Sequence, residues 1–206
     1  RQNEWWNWSM DIEVYYKNEK DYKNLFSSSF IGCNAGESVG QYASAGVFEN
    51  ICILAYKRFS YEIYGTTIHE IAHSSHFSNM KTTSAATPQA GEFALLSDTY
   101  KETYARGVQN YFISKRYKND DYKREYTAKY TGLVEDLIDE NNVSYCNEYF
   151  KEKVSGFLIS SIETAFFQNK KFSTMKNYLR DKNPSGKNGV NYTSSDMDNL
   201  FKCWGL

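Results

Sequence analysis

A chain of 206 residues, 41% of them hydrophobic and 17% aromatic, can bury a core, so its composition excludes an intrinsically disordered protein. The formal net charge of −1, without a long basic run, excludes the basic surface that binds nucleic acid or an anionic membrane. No apolar run approaches the about 20 residues that a transmembrane helix needs. We therefore expect no transmembrane segment in this sequence.

Strand signals come first along the chain. The segment MDIEVYY predicts one strand, because Ile12 and Val14 alternate with polar residues, and the β-branched and aromatic run around Ile51–Tyr56 predicts a second. Residues 32–46 are rich in Gly, Ser and Ala and form a predicted loop. Because strands precede helices, we expect an α+β fold in one domain, residues 1–206, with a small mixed sheet on its N-terminal side and a mainly helical C-terminal half.

Helical periodicity begins after Ser60. One arc of the helical wheel holds apolar residues and is expected to face the core; it comprises Tyr61, Tyr64, Ile68, Ile71 and Ala72. All three histidines of the chain lie on the opposite arc. We therefore predict an amphipathic helix that carries histidines away from the core.

Further helices are predicted along the rest of the chain. One begins at Ser97 or Asp98, which can cap it, and others follow around residues 130–138 and 158–166. The last is predicted near the C-terminus, where Thr193 and Asp196 have the spacing of a capping box and Gly205 marks the end.

The first of these helices contains the motif HEIAH, in which His69 and His73 flank Glu70. Residues four apart lie about 6 Å apart along a helix and on one face, so both imidazoles can bind one metal ion. Glu70 is expected to lie near the ion without binding it and to accept a proton from the attacking water. The motif predicts a Zn²⁺ site with Glu70 as the catalytic residue.

The third histidine, His76, is excluded as a ligand by helix geometry. It would lie about 10.5 Å from His69 along a continuous helix, whereas two ligands of one zinc lie within about 4 Å. The metzincin pattern HExxHxxGxxH turns the chain with a glycine, but His76 occupies that glycine position and Asn79 the position of the third histidine. His76 is therefore expected at the rim of the site, and the third ligand should be a carboxylate.

Two glutamates are candidates for that ligand. Glu102 belongs to a well-patterned helix, which holds a ligand more rigidly than a loop, and Ala105 and Gly107 would let this helix approach the histidine helix closely. Glu92 follows Gly91 in a loop-like stretch or at a helix start. Glu102 is preferred and Glu92 is the alternative.

The chain resembles the gluzincin metallopeptidases, in which HExxH on one helix is joined by a glutamate on a later helix. It is similar in particular to a group of secreted or lipid-anchored bacterial zinc peptidases that carry a pattern like TTIHELAH…ESWARGV, here TTIHEIAH and ETYARGV. The resemblance implies a zincin-like domain with His69, His73 and Glu102 as zinc ligands. The spacing of the aminopeptidase type would instead select Glu92. In gluzincins the strand at the edge of the active site pairs with an extended peptide substrate, and Ile51–Tyr56 is the predicted counterpart.

Donors to the transition state and to the ligand histidines are also predicted. His76 and Tyr104 are candidates for stabilising the oxyanion, and Asp136 or Asp139 for orienting a ligand histidine. The expected function is zinc-dependent hydrolysis of peptide bonds in a peptide or protein substrate by a monomer. The alternative is a zinc-containing module that binds proteins or glycans without turnover, which the aromatic stretch WWNW would suit.

The cysteines bear on location. Cys33, Cys52, Cys146 and Cys203 form no CxxC pair, which excludes a thiolate metal site, and they can form two disulfides or remain four buried thiols. The sequence begins with Arg1, so it is expected to be the C-terminal part of a longer protein. With the resemblance, this predicts an extracytoplasmic protein: periplasmic, secreted or on the cell surface, with a lipid anchor in a missing N-terminal segment as one form.

Overall fold

The computed structural model describes residues 11–15, 50–54, 59–80, 89–117, 126–138, 146, 154–182 and 191–206. Two strands, β1 (Asp11–Tyr15) and β2 (Asn50–Leu54), precede seven helices in this part of the chain. The helices are α1 (Ser60–Asn79), α2 (Gln89–Ala94), α3 (Asp98–Tyr117), α4 (Leu133–Ile138), α5 (Ile159–Gln168), α6 (Phe172–Lys182) and α7 (Ser194–Cys203).

The α+β prediction with a small mixed sheet is wrong, because the described part of the chain is mainly helical. The strands β1 and β2 overlap the two predicted strand segments, and among the described residues they pair only with each other, in parallel, over five residues each. A mixed sheet needs further strands, and among the described residues the chain that follows β2 forms helices. The prediction that the second strand binds an extended peptide stays a prediction.

Helices α1 and α3 make the most extensive contact between two elements in the described part of the chain, and this pair carries the candidate site. Gly65 of α1 permits the close approach: a Cβ atom there would lie 2.5 Å from Ile113 Cδ1 and 2.9 Å from Gln109 Nε2. Gly107, which was expected to serve this contact, lies against Val134 of α4 instead, where a Cβ would be 2.2 Å from the valine Cβ. The two glycines thus bring α3 close to a helix on either side.

The core is rich in aromatic residues. Tyr100 and Tyr104 of α3 pack against Phe166 of α5, at ring-centroid distances of 4.9 and 5.1 Å. All three side chains are fully buried. Such ring pairs stabilise a core by about 0.5–1.5 kcal/mol beyond the area they bury. This cluster packs α3 against α5.

Local signals in the sequence set several helix ends as predicted. The Ser97 hydroxyl accepts a hydrogen bond from the Tyr100 backbone N–H at 3.2 Å and so caps α3. Thr193 and Asp196 form the reciprocal capping box of α7. Gly205, at φ 73°, donates its backbone N–H to the Lys202 carbonyl just after that helix ends.

A disulfide joins Cys146 to Cys203, across 57 positions in the sequence. It ties the end of α7 to the segment between α4 and α5. The sequence left open whether the cysteines form disulfides or remain free thiols, and Cys146 and Cys203 form a disulfide. Cys33 and the side chain of Cys52 lie outside the described residues. No helix among those described is long and apolar enough to cross a membrane.

Candidate metal centre

Three side chains from two helices converge at the contact between α1 and α3. His69 and His73 stand one turn apart on α1, and Glu102 lies opposite them on α3. His69 Nε2 is 3.1 Å from His73 Nε2 and 3.1 Å from Glu102 Oε2, and His73 Nε2 is 3.4 Å from the same oxygen. One nitrogen or oxygen atom of each side chain therefore points to a common centre.

These separations fit a metal site. Donor atoms that bind one tetrahedral zinc at bonds of about 2.0–2.1 Å lie about 3.3 Å from one another. The three observed distances, 3.1 to 3.4 Å, have this size. Two imidazoles and a carboxylate are also a donor set of catalytic zinc sites, which keep one position for water or substrate. The group formed by His69, His73 and Glu102 is thus able to hold a metal ion.

Gln109 orients the first of these histidines. Gln109 Oε1 lies 3.2 Å from His69 Nδ1 and can accept its proton in the tautomer whose Nε2 lone pair faces the centre. Most metal-binding histidines have such a partner on the other ring nitrogen. Asp136 and Asp139 were predicted for this role. Asp136 lies buried in α4 and accepts a hydrogen bond from Trp204 Nε1 at 2.8 Å, and Asp139 lies outside the described residues.

Comparison with family models, with curated proteins and with solved structures finds no match.

Glu70 lies beside the three converging groups in a largely desolvated position, with 7% of its surface exposed. Burial raises its pKa to about 7; the neighbouring His73 opposes this rise and the negative charge of Glu102 adds to it. A carboxyl group with a pKa near neutrality can both accept and return a proton at neutral pH. The group thus has the protonation behaviour of a general base.

Glu102 is held in its charged form. Burial alone would raise its pKa, but hydrogen bonds with His69 and His73 outweigh burial and lower the pKa well below the usual range. Its two oxygens have different neighbours: Oε2 faces the histidines, and Oε1 lies 3.6 Å from Lys129 Nζ. A permanently ionised carboxylate that faces two imidazoles is suited to bind a cation.

Glu92, the alternative third ligand, lies elsewhere. It is buried in the short helix α2 and forms an ion pair with Lys170. The group that is able to hold a metal contains Glu102 and not Glu92. Of the two candidates, the structure brings Glu102 to the histidines.

His76 lies in the aromatic core and not at a rim. Its ring is fully buried and packs against Tyr104 and Phe93, at centroid distances of 5.2 and 5.3 Å. Tyr104 is also fully buried, and its hydroxyl donates to Glu163 Oε1 at 3.1 Å. Solvent and substrate do not reach either side chain, so neither is placed to stabilise an oxyanion.

Three neighbours of the site were missed from the sequence, besides Gln109. Arg106 of α3 and Lys129, in the segment before α4, both lie over the ring of Tyr130, which is 6.3 Å from the His69 ring. The spacing of Glu102, Arg106 and Gln109, at i, i+4 and i+7, was a usable signal because such residues share one helix face. Tyr130 was assigned to the predicted helix around residues 130–138, but that helix begins at Leu133, and no sequence signal marks Lys129 or Tyr130 as neighbours of the site.

Proposed function

We propose that this chain is a zinc-dependent peptidase of the gluzincin type, with His69, His73 and Glu102 as the metal ligands and Glu70 as the general base. The observation that carries the proposal is the convergence of the three ligand atoms within 3.4 Å, beside a buried glutamate that takes no part in the convergence. A carboxylate from a second helix at these distances from both histidines favours a metal site over chance histidines on a helix surface.

In the proposed mechanism each residue of the site has one task. A zinc ion bound here would lower the pKa of water and polarise the peptide carbonyl. Gln109 keeps the His69 ring in the orientation and tautomer that present Nε2. Glu70 Oε accepts a proton from the attacking water, and the same proton passes to the nitrogen of the leaving amine as the C–N bond breaks.

We further propose that the protein works outside the cytoplasm. The disulfide between Cys146 and Cys203 supports this location, because disulfides persist in oxidising compartments and are rare in the reducing cytosol. Secretion, with or without a lipid anchor, rests on the resemblance described above.

The test is cleavage of a synthetic peptide library by the zinc-loaded protein and by its Glu70→Gln variant. The variant keeps the shape of the side chain and all three ligands, so equal zinc content is expected. Loss of the general base should lower the rate of cleavage by about 10²–10⁴-fold. Undiminished cleavage by the variant would contradict the mechanism, and no cleavage by either protein would favour the non-catalytic binding module.

A further inference from the structure

The side of the metal centre next to Tyr130 is positively charged. Arg106 stands one turn after Glu102 on α3, and its guanidinium carbon lies 4.7 Å from the centre of the Tyr130 ring. Lys129 Nζ lies 5.7 Å from the same ring centre and 3.6 Å from Glu102 Oε1. Two cations therefore flank one tyrosine beside the proposed zinc ligands.

Arg106 has no anionic partner among the described residues. It forms no ion pair or hydrogen bond in the part of the chain that the structure describes, and its Nε atom is buried without an acceptor. Buried donors are nearly always satisfied in folded proteins, so an unused one calls for a partner. Stacking on Tyr130 occupies the face of the guanidinium and leaves its in-plane N–H groups as donors.

Arg106 lies close to the candidate metal centre. Its charge acts on His69, and the ring on which it stacks is 6.3 Å from the His69 ring. Lys129 is half exposed, and its ammonium forms an ion pair with Glu102 Oε1. A ligand at the metal centre would thus lie near two cationic side chains, Arg106 and Lys129.

We propose that Arg106, supported by Tyr130 and assisted by Lys129, binds a carboxylate group of the substrate. The guanidinium fork matches a carboxylate with two parallel hydrogen bonds, and the lysine adds a second positive charge. The inference deepens the proposed peptidase function and rests on it. A peptide can supply this carboxylate from its C-terminus or from an Asp or Glu side chain.

The test measures binding separately from catalysis. The probes are N-acetylated random decapeptides in two sets, one with a free C-terminal carboxylate and one with a C-terminal amide. Each set is incubated with zinc-loaded Glu70→Gln protein, which retains the site but should not cleave, and the retained peptides are identified by mass spectrometry. The same sets are digested by the protein with Glu70 intact.

Two results support the subsite and identify its source. Retention of free-carboxylate peptides over amides indicates the C-terminus, and enrichment of Asp and Glu in both sets indicates a side chain. Either preference should fall by about 10- to 100-fold on Arg106→Gln, because a charge-assisted hydrogen bond has that worth. Lys129→Gln should give a smaller loss.

Arg116 supplies a matched control. It lies on the same helix and also stacks on a tyrosine, Tyr64, with its guanidinium carbon 4.9 Å from the ring centre. It stands about 15 Å further along the axis of α3. Arg116→Gln should leave the preference unchanged. If Arg106→Gln does not fold, Arg106→Lys keeps the charge but loses the fork, and should still weaken the preference several-fold.

Other results overturn the inference. Equal retention of both sets without acidic enrichment does so, as does a preference that survives in the Arg106 variants or an absence of any retained peptide. Cleavage by the protein with Glu70 intact, without a carboxylate preference, would leave the peptidase proposal standing and remove the subsite alone. Retention with a carboxylate preference but without cleavage would support the subsite and contradict the peptidase proposal.

Discussion

Helix α1 carries its three histidines in two different environments. His69 and His73 are partly exposed, with 12% of each side chain accessible, and they face a glutamate of α3. His76, three residues later, is fully buried among aromatic rings, and neither of its ring nitrogens has a partner of normal hydrogen-bond geometry. One residue type thus belongs to the candidate metal centre at one point of a helix and to the core one turn further on.

The difference comes from α3, the helix opposite. One of its faces presents Glu102 and Gln109 to the first two histidines. Another presents the rings of Tyr100 and Tyr104, which pack against His76 at centroid distances of 5.9 and 5.2 Å. The role of a histidine is therefore set by the partner helix and not by the motif in which it lies.

The largest effect on zinc affinity is expected from a substitution of Glu102 in the candidate metal centre. Glu102→Gln keeps the size of the side chain but removes the charge that faces both histidines. Loss of a residue that hydrogen-bonds to a metal ligand lowers metal affinity by up to about 100-fold, and loss of a ligand itself should lower zinc affinity by more. Competition with a chromophoric chelator measures this affinity.

The control for this change is Glu92→Gln, the same exchange at the other candidate ligand. It should leave zinc affinity within about threefold, because Glu92 pairs with Lys170. A larger loss of zinc from the Glu92 variant than from the Glu102 variant would identify Glu92 as the third ligand.

A smaller effect is expected at Gln109. Gln109→Met keeps an unbranched side chain of similar length but removes the acceptor for His69 Nδ1. Zinc affinity should fall by about 10- to 100-fold, since the ring loses the bond that orients it. The matched exchange Gln168→Met, at an exposed position of α5, should change nothing; equal zinc affinity in both variants would show that Gln109 does not orient the ligand.

The smallest effect on zinc affinity and stability at neutral pH is expected from a substitution of His76. Burial lowers its pKa to about 3, and the neighbouring charges of His73 and Lys101 act in the same direction. The unfolded chain binds this proton with a pKa of about 6.5, so the native state loses stability as pH falls below 6.5, by about 2 kcal/mol at pH 5. His76→Phe, which fills similar space, should remove this loss and leave zinc affinity unchanged.

Urea unfolding at pH 7.5 and pH 5 measures this difference. The two proteins should have similar stability at pH 7.5, within about 1.5 kcal/mol, and the variant should be the more stable at pH 5. Equal sensitivity of wild type and variant to acid would contradict the burial of a neutral histidine. Loss of zinc from the variant would place His76 in the metal centre.

Much of the local structure follows from the sequence. The caps at Ser97 and Thr193 and the stop at Gly205 are set by residues within one turn of each helix end, so short-range signals suffice. The fold class does not follow in this way. Each strand was recognised from its own residues, but a sheet needs partner strands, and pairing is decided by distant parts of the chain.

The same division applies to the metal centre. The pair His69 and His73 follows from the helix repeat, and Glu102 from the requirement for a carboxylate on a rigid element. The helical wheel placed His76 away from the core, because it could not foresee rings from other elements such as Phe93 and Phe166. The half-buried state of Tyr61 and Tyr64, which were expected to face the core, has the same origin.

The central claim is that α1 and α3 together form a metal centre that excludes His76. Metal analysis of the purified protein, saturated with zinc and then desalted, tests it most directly. We expect about one zinc per chain, held at three protein ligands, and little zinc in the Glu102→Gln variant. Near-zero zinc in the wild-type protein, or full occupancy that survives Glu102→Gln, would contradict the account.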